Sequence, residues 1–109
     1  MSNVTLTNGH VMIDGNPVLI IAAEFHYFRT PKSAWRERLE LLKSSGFNTI
    51  ATYIPWLWHE PEPGVFDLTG KTHPQKDLAG FLDLVAEVGL MIIARPGPYI
   101  MAETINEGI

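Results

Sequence analysis

The chain has 109 residues, of which 46% are hydrophobic and 18% charged, a composition typical of a folded domain and not of a disordered segment. Its net charge of -4, its sequence pI near 5.4 and the scattering of its basic residues argue against a nucleic-acid surface. Because the chain has no cysteine, it can form neither a disulfide nor a thiolate metal site.

From the amino-terminal sequence we expect no export signal. Residues 1–15 (MSNVTLTNGHVMIDG) contain neither a basic stretch nor an apolar core, so they do not form a signal peptide. No apolar run approaches the roughly 20 residues that a membrane-spanning helix needs. We therefore expect a soluble cytoplasmic protein that contacts neither membrane nor nucleic acid.

The first part of the chain, residues 1–16, predicts a β-hairpin. Asn8 and Gly9 separate two short strands within residues 4–13, and both residue types tolerate the positive φ of a tight turn. The run that follows, residues 17–24 (PVLIIAAE), is apolar without alternation. Such a run is typical of a strand that is buried on both faces of a parallel sheet.

The rest of the chain, residues 17–109, alternates strands with helices. Pro31 suits the first turn of a helix, and Gly46 suits the left-handed residue that ends it. Residues 52–67 (TYIPWLWHEPEPGVFD) contain several prolines, which predict a rigid loop without regular helix. The remaining predicted elements are a strand at 47–54, a helix from about 75 to 88 and a strand at 90–95.

A hairpin followed by a β-α-β-α-β pattern fits two architectures, an open doubly wound sheet or the first part of an eight-stranded barrel. Polar residues follow all three predicted strands at one edge of the sheet, where a barrel carries its active site. The sequence after the first strand, AAEFHYFR, has no glycine-rich phosphate loop, which disfavours nucleotide binding by an open sheet. The polar residues at this edge are Glu24, His26, Tyr53, His59, Glu60, Arg95, Tyr99 and Glu103.

Several motifs follow one another along the chain in a specific order. They are HYFR (26–29), W-x-x-R-L (35–39), G-x-N-T-I-x-T-Y-x-P-W (46–56), H-E-P-x-P-G-x-F-D (59–67) and RPGPYI-x-AE (95–103). Together they closely resemble the amino-terminal part of the catalytic barrel of glycoside hydrolase family 35, the β-galactosidases. The resemblance runs from about residue 13 to residue 103.

The resemblance implies that residues 17–109 form the first three βα units of a (β/α)8 TIM barrel. It also implies a retaining hydrolase that cleaves terminal β-D-galactosyl residues, with a β-galactoside as substrate and without a cofactor. In the family the acid/base and nucleophile glutamates follow strands four and seven, beyond Ile109. We therefore expect no catalytic residue in this segment and no activity from the segment alone. A metal site is not expected, because His26 and His59 lack a ligand spacing.

The resemblance further implies substrate contacts from four residues of this chain. The side chains of Tyr53 and Glu103 would contact the sugar, and the backbone groups of Met101 and Ala102 would line the same pocket. The chain departs from the family at Met101, where Cys or Asn is frequent, and after Glu103, where TINEG replaces an aromatic residue and two glycines. The second departure leaves the exact sugar open.

The alternative to substrate binding is a purely structural role for the same residues. Tyr53 could be a core tyrosine with a satisfied hydroxyl, and Glu103 could be a solvated charge. Glu24 is costly to bury unpaired, so it should support the barrel mouth by pairing with Arg29 or Arg95.

Other residues of the 52–67 segment are expected to hold it in place. Of Trp56 and Trp58, one should point into the protein, while His59, Glu60 and the prolines should stabilise the loop. At the level of function, the alternatives are a non-catalytic carbohydrate-binding protein derived from a barrel and a glycosidase of different sugar specificity.

Overall fold

The computed structural model describes residues 3–97, which form two three-stranded sheets and three α-helices. The antiparallel sheet contains β1 (Val4–Thr7), β2 (His10–Ile13) and β3 (Asn16–Val18). The parallel sheet contains β4 (Ala22–Glu24), β5 (Thr49–Ile54) and β6 (Met91–Pro96). The helices are α1 (Trp35–Ser44), α2 (Trp56–His59) and α3 (Leu78–Val88).

The predicted turn at Asn8-Gly9 is confirmed, with φ of 50° and 77° at the two residues. The prediction of a single strand over residues 17–24 is wrong, because this run contributes to both sheets. A second turn at Asp14 and Gly15, also with positive φ, folds β3 back onto β2 in antiparallel register. The chain then enters the parallel sheet at β4.

The parallel sheet has its strands in the order β4-β5-β6, with α1 and α3 as the two connections. The two helices pack against each other, so both cover the same face of the sheet. This arrangement fits the start of a barrel and also one half of a doubly wound sheet, so strand order alone does not separate the two architectures.

The predicted helices are confirmed, although each begins with a 3-10 turn, at Lys32–Ala34 before α1 and at Pro74–Lys76 before α3. The prediction that residues 52–67 contain no helix is wrong, because α2 is a single helical turn within them. Its prolines flank that turn. Pro55 precedes the first helical residue, where its fixed φ of -70° and missing N–H cost nothing.

The core lies between the parallel sheet and the two longer helices. It includes apolar residues of α1 and α3, together with the β5 residue Ile50 and two aromatic residues that follow β4. Because side chains alternate along a strand, Ile50 and Ile54 face the helices, while Ala51 and Tyr53 lie on the opposite face. The core residues are Phe25, Tyr27, Trp35, Leu39, Ile50, Phe81, Val85 and Leu90.

Candidate substrate-binding site

Three side chains converge on the face of the parallel sheet that points away from the helices. Tyr53 is near the end of β5 and lies directly opposite Arg95 on β6. Glu24 ends β4 and pairs with Ala51, two residues before Tyr53. Because residues two apart on a strand share a face, Glu24, Tyr53 and Arg95 meet at the carboxyl edge of the sheet.

The ring of Tyr53 is contacted by two neighbouring side chains. The guanidinium carbon of Arg95 lies 4.2 Å from the centre of the ring, and the His26 imidazole stacks on it at 5.3 Å with an interplanar angle of 20°. A carboxylate oxygen of Glu24 accepts a hydrogen bond from Arg95 and lies 3.5 Å from Nε2 of His26. Glu24 therefore links the two groups that contact Tyr53.

The charges of this cluster compensate each other. The hydrogen bond from Arg95 holds the pKa of the Glu24 carboxyl below its usual range, and the same bond raises the pKa of Arg95. Burial lowers the pKa of His26, so its imidazole is mostly neutral at pH 7. Of the two arginines expected for Glu24, the structure selects Arg95, while the guanidinium of Arg29 lies over the Phe28 ring.

The polar atoms around Tyr53 are only partly satisfied within residues 3–97. Tyr53 is half-buried, and its hydroxyl has no hydrogen-bond partner in that range. Nδ1 of His26 and Nε of Arg95 are buried and likewise lack a partner there. The satisfied hydroxyl that a core tyrosine would require is therefore not provided by the described part of the chain.

His59 has a structural role beneath this edge. It is 4% exposed, and its Nδ1 lies 2.7 Å from the backbone oxygen of Asp67. Since a carbonyl oxygen only accepts, Nδ1 carries the proton, and Nε2 accepts from the Tyr27 hydroxyl at 2.7 Å. Both nitrogens are thus engaged, and the described residues contain no group of His, Asp or Glu that could hold a metal.

The two tryptophans of α2 point to opposite sides, as expected. Trp58 packs against the core and donates its indole N–H to the backbone oxygen of Gln75 at 3.1 Å. Trp56 is 47% exposed and donates its indole N–H to the Glu60 carboxylate.

Trp56 lines an apolar cleft of about 180 Å³ that also includes Ile54. Because Ile54 lies on the helix side of β5, this cleft is on the opposite side of the strand from Tyr53. The other lining residues are Pro55, His59, Glu60, Phe66, Leu68, Pro96 and Gly97.

The segment after α2 is held by carboxylates. Glu60 accepts from the backbone N–H of Gly64 at 2.9 Å, and His59 donates to the backbone oxygen of Asp67, so both residues stabilise the loop as expected. Asp67 accepts from the hydroxyl and the backbone N–H of Thr72 and from the N–H groups of residues 69–71. These bonds hold the pKa of Asp67 well below its usual range. Sequence analysis missed this role, although an aspartate before T-G-K-T is typical of a side-chain-capped turn.

Three of the four predicted substrate-binding residues, Met101, Ala102 and Glu103, lie outside the described residues, so their roles stay predictions. Tyr53 is the predicted substrate-binding residue that lies within the described part of the chain. The fold brings it together with Glu24, His26 and Arg95. The contact between Arg95 and Tyr53 could have been inferred only from the strand register.

Comparison with known proteins identifies the family. The profile of glycosyl hydrolases family 35 matches residues 10–109. The chain belongs to glycoside hydrolase family 35. This confirms the resemblance that the sequence motifs indicated.

The curated relatives of this chain differ in their described activities. An exo-β-D-glucosaminidase of Thermococcus kodakarensis is 48% identical over 109 residues, which cover 100% of this chain and 14% of that protein. A β-1,2-glucosyltransferase of Ignavibacterium album is 49% identical over 96 residues, covering 88% of this chain and 13% of that protein. A β-galactosidase of Felis catus is 47% identical over 90 residues, covering 83% and 13%. The family 35 chain thus spans about one-seventh of the length of these relatives.

Solved structures with a similar fold are also glycosidases. An endocellulase of Pyrococcus horikoshii in complex with cellotetraose matches with a TM-score of 0.61 at 14% identity, covering 85% of this chain and 30% of that one. The exo-β-1,4-mannosidase Op5Man5 of an Opitutaceae bacterium matches with a TM-score of 0.60 at 23% identity, covering 82% and 16%. The mixed α/β arrangement of the family 35 chain is therefore one that glycosidases share.

Among residues 3–97, no helix has both the length and the apolar character needed to cross a membrane. The cytoplasmic location expected from the amino-terminal sequence stays a prediction.

Proposed function

We propose that this family 35 chain forms the first three βα units of a (β/α)8 barrel in a retaining glycoside hydrolase, and that it contributes substrate-binding groups to the active site. The observation that carries this proposal is the position of Tyr53. Its ring lies at the carboxyl end of β5, on the face away from the helices, and its hydroxyl is unpaired within residues 3–97. In a barrel that position opens toward the substrate.

The substrate class that we propose is a terminal β-linked hexose, with β-D-galactosides as the first candidate. Family membership and the relatives named β-galactosidase support it. Relatives named exo-β-D-glucosaminidase and β-1,2-glucosyltransferase, together with the departures at Met101 and after Glu103, favour a glycosidase of different sugar specificity as the second candidate.

The residues of this chain would bind the sugar, while the chemistry would come from elsewhere in the protein. The Tyr53 hydroxyl can both donate and accept, and the Glu103 carboxylate can accept from two sugar hydroxyls. The backbone groups of Met101 and Ala102 would complete the pocket. A retaining mechanism needs an acid/base carboxyl and a nucleophile carboxyl on either side of the scissile bond. We assign both to segments beyond Ile109.

Kinetics of the full-length protein test this proposal, with p-nitrophenyl β-D-galactoside, β-D-glucosaminide and β-D-glucoside as substrates. Loss of a hydrogen bond to a charged group costs roughly 1.5–3 kcal/mol, so Glu103→Gln should lower kcat/KM by about 10- to 150-fold. Tyr53→Phe loses a neutral bond of roughly 0.5–1.5 kcal/mol and should lower kcat/KM by about 2- to 13-fold. Neither variant should change the anomeric configuration of the product.

Glu62→Gln is the matched control, since Glu62 is an exposed carboxylate on the segment that follows α2. An effect of Glu62→Gln as large as that of Glu103→Gln would contradict the site assignment. If the full-length protein binds these sugars in calorimetry but hydrolyses none of the three substrates, the carbohydrate-binding alternative replaces the enzyme.

A further inference from the structure

We infer that Glu24 and Arg95 are positioning residues for Tyr53. Their ion pair across the parallel sheet fixes the Arg95 guanidinium against the tyrosine ring and so sets the direction of the Tyr53 hydroxyl. This inference rests on the proposed contact between Tyr53 and the sugar. It deepens the proposed function, because it assigns a role to two charged residues that do not themselves need to touch the substrate.

Tyr53 needs such support because its surroundings constrain the ring and not the hydroxyl. Within residues 3–97 the hydroxyl has no partner, so in this part of the chain its direction depends on the contacts of the ring. Those contacts come from His26 at 5.3 Å and from Arg95 at 4.2 Å between the guanidinium carbon and the ring centre. A displacement of the ring by about 1 Å at a binding site can strongly weaken a directional hydrogen bond.

Arg95 in turn depends on Glu24. Its long side chain has many rotamers, and the strand register alone places only its backbone opposite Tyr53. The bond to the Glu24 carboxylate selects the rotamer in which the planar guanidinium lies over the ring. Arginine suits this double contact, because it can stack on an aromatic face while its N–H groups reach a carboxylate.

A direct role for Glu24 in the chemistry fits the geometry less well. Its carboxylate accepts a hydrogen bond from Arg95, which already compensates its charge, and it lies 3.5 Å from His26. The bond from Arg95 also holds the pKa of Glu24 below its usual range, which keeps the group ionised and unsuited to act as a general acid. A positioning role accounts for the same contacts without this difficulty.

A double-mutant cycle in the full-length protein tests the inference. Arg95→Met should lower kcat/KM by about 3- to 30-fold, the range expected for loss of a partly desolvated cation–π contact. The loss should appear mainly in KM, because the ring is held before the reaction begins. In a Tyr53→Ala background, Arg95→Met should change kcat/KM by less than about 2-fold, since the group on which it acts is gone. Arg95→Lys, which keeps the charge, should restore part of the activity.

Arg36→Met is the matched control, because Arg36 also forms an ion pair, at 2.8 Å with Glu87, but on the helix surface. It should leave kcat/KM unchanged. If instead the losses from Arg95→Met and Tyr53→Ala multiply, Arg95 contacts the sugar itself and the inference is wrong.

Crystal structures of the wild-type and Arg95→Met proteins separate this inference from the proposed function. We expect the Tyr53 ring to leave its wild-type orientation in the variant. A displaced ring in a protein that hydrolyses none of the glycosides would support the positioning role and reject the proposed activity. A ring that keeps its orientation in Arg95→Met would overturn the positioning role whatever the activity. If Arg95→Met does not fold, Glu24→Gln provides the same two measurements, since it removes the anchor of Arg95.

Discussion

The Tyr27 hydroxyl lies 2.7 Å from Nε2 of His59, and this buried hydrogen bond joins the turn after β4 to helix α2 after β5. The other ring nitrogen of His59 donates to the backbone oxygen of Asp67. One imidazole therefore connects three segments at the carboxyl edge of the parallel sheet. This hydrogen-bond chain therefore stabilises the edge that carries Tyr53.

We predict that Tyr27→Phe destabilises this edge locally. The substitution keeps the ring in the core but leaves Nε2 of His59 buried without a donor, which costs about 1–3 kcal/mol. Hydrogen–deuterium exchange of peptides that cover residues 56–72 should become faster in the full-length protein. Tyr53→Phe is the control, because the Tyr53 hydroxyl has no partner within residues 3–97. Equal exchange in Tyr27→Phe and wild type would show that the bond does not stabilise the segment.

The same segment should lose protection in mild acid. Burial lowers the pKa of His59 from its ordinary value of 6.5, so the folded state binds this proton less readily than the unfolded state. The stabilising contribution is complete above pH 6.5 and is lost as the pH falls from 6.5 through the folded-state pKa. Exchange of residues 60–72, corrected for intrinsic rates, should therefore accelerate below pH 6.5 in the wild type.

His59→Gln provides the comparison, because glutamine keeps a donor and an acceptor but does not titrate in this range. Its exchange should be faster at pH 8 and should depend less on pH between 8 and 5 than exchange in the wild type. His26, whose pKa burial also lowers, remains in both proteins and contributes equally to both profiles. A pH dependence of equal slope in the two proteins would exclude His59 as its source.

The elements that depend on local chemistry could be predicted from the sequence. Asn8 and Gly9 turn the hairpin, Gly89 ends α3 with φ of 89°, and the spacing of Trp35 and Leu39 marks the buried side of α1. Each of these signals needs only the residue and its near neighbours. The family resemblance rests on ordered motifs and was equally accessible from the sequence.

Features that depend on tertiary pairing could not be predicted. The apolar run 17–24 reads as one strand. Asp14 and Gly15 mark a turn before it, but nothing local shows that β3 ends at Val18 and that β4 starts a second sheet. The partner of Glu24 was open between Arg29 and Arg95, and only the strand register places Arg95 beside it. The same holds for the bond between Tyr27 and His59, which are 32 residues apart in the chain.

We predict that Gly80→Ala destabilises α3, although alanine favours helices over glycine by about 1 kcal/mol. Asp77 caps this helix by accepting from the backbone N–H of Gly80 at 3.0 Å, and it binds Lys32 at 2.7 Å. A methyl group at Gly80 would overlap the Asp77 carboxylate. The cap, which contributes about 0.5–2 kcal/mol, and the ion pair would both be displaced.

Whether Gly80→Ala stabilises or destabilises α3 depends on the residue at position 77. With Asp77→Ala the carboxylate is gone, so Gly80→Ala should then slow exchange at the start of α3 by the intrinsic helix preference. Exchange of peptides covering residues 78–88 measures both cases. A stabilising effect of Gly80→Ala in both backgrounds would show that the Asp77 carboxylate moves aside without cost.

We predict that the isolated chain of residues 1–109 does not hydrolyse aryl β-galactosides. Retaining hydrolysis needs two carboxyl groups about 5–5.5 Å apart across the scissile bond. At the carboxyl edge of the parallel sheet, within residues 3–97, the carboxylate beside Tyr53 is that of Glu24, and it accepts a hydrogen bond from Arg95. Release of nitrophenol by the purified chain, abolished by Glu103→Gln, would contradict this prediction.

We predict that the isolated chain also self-associates. Ile93 lies on the sheet face away from the helices and is 44% exposed, and β4 and β6 are the edges of the parallel sheet in the described chain. Apolar side chains beside unpaired strand edges promote association with another copy. Light scattering should show a mass that rises with protein concentration, and Ile93→Ser should reduce that rise.

Leu41→Ser is the control, since Leu41 is 65% exposed but lies on α1, away from any strand edge. A monodisperse monomer at all concentrations, or an equal effect of the two serine variants, would show that this face does not mediate association.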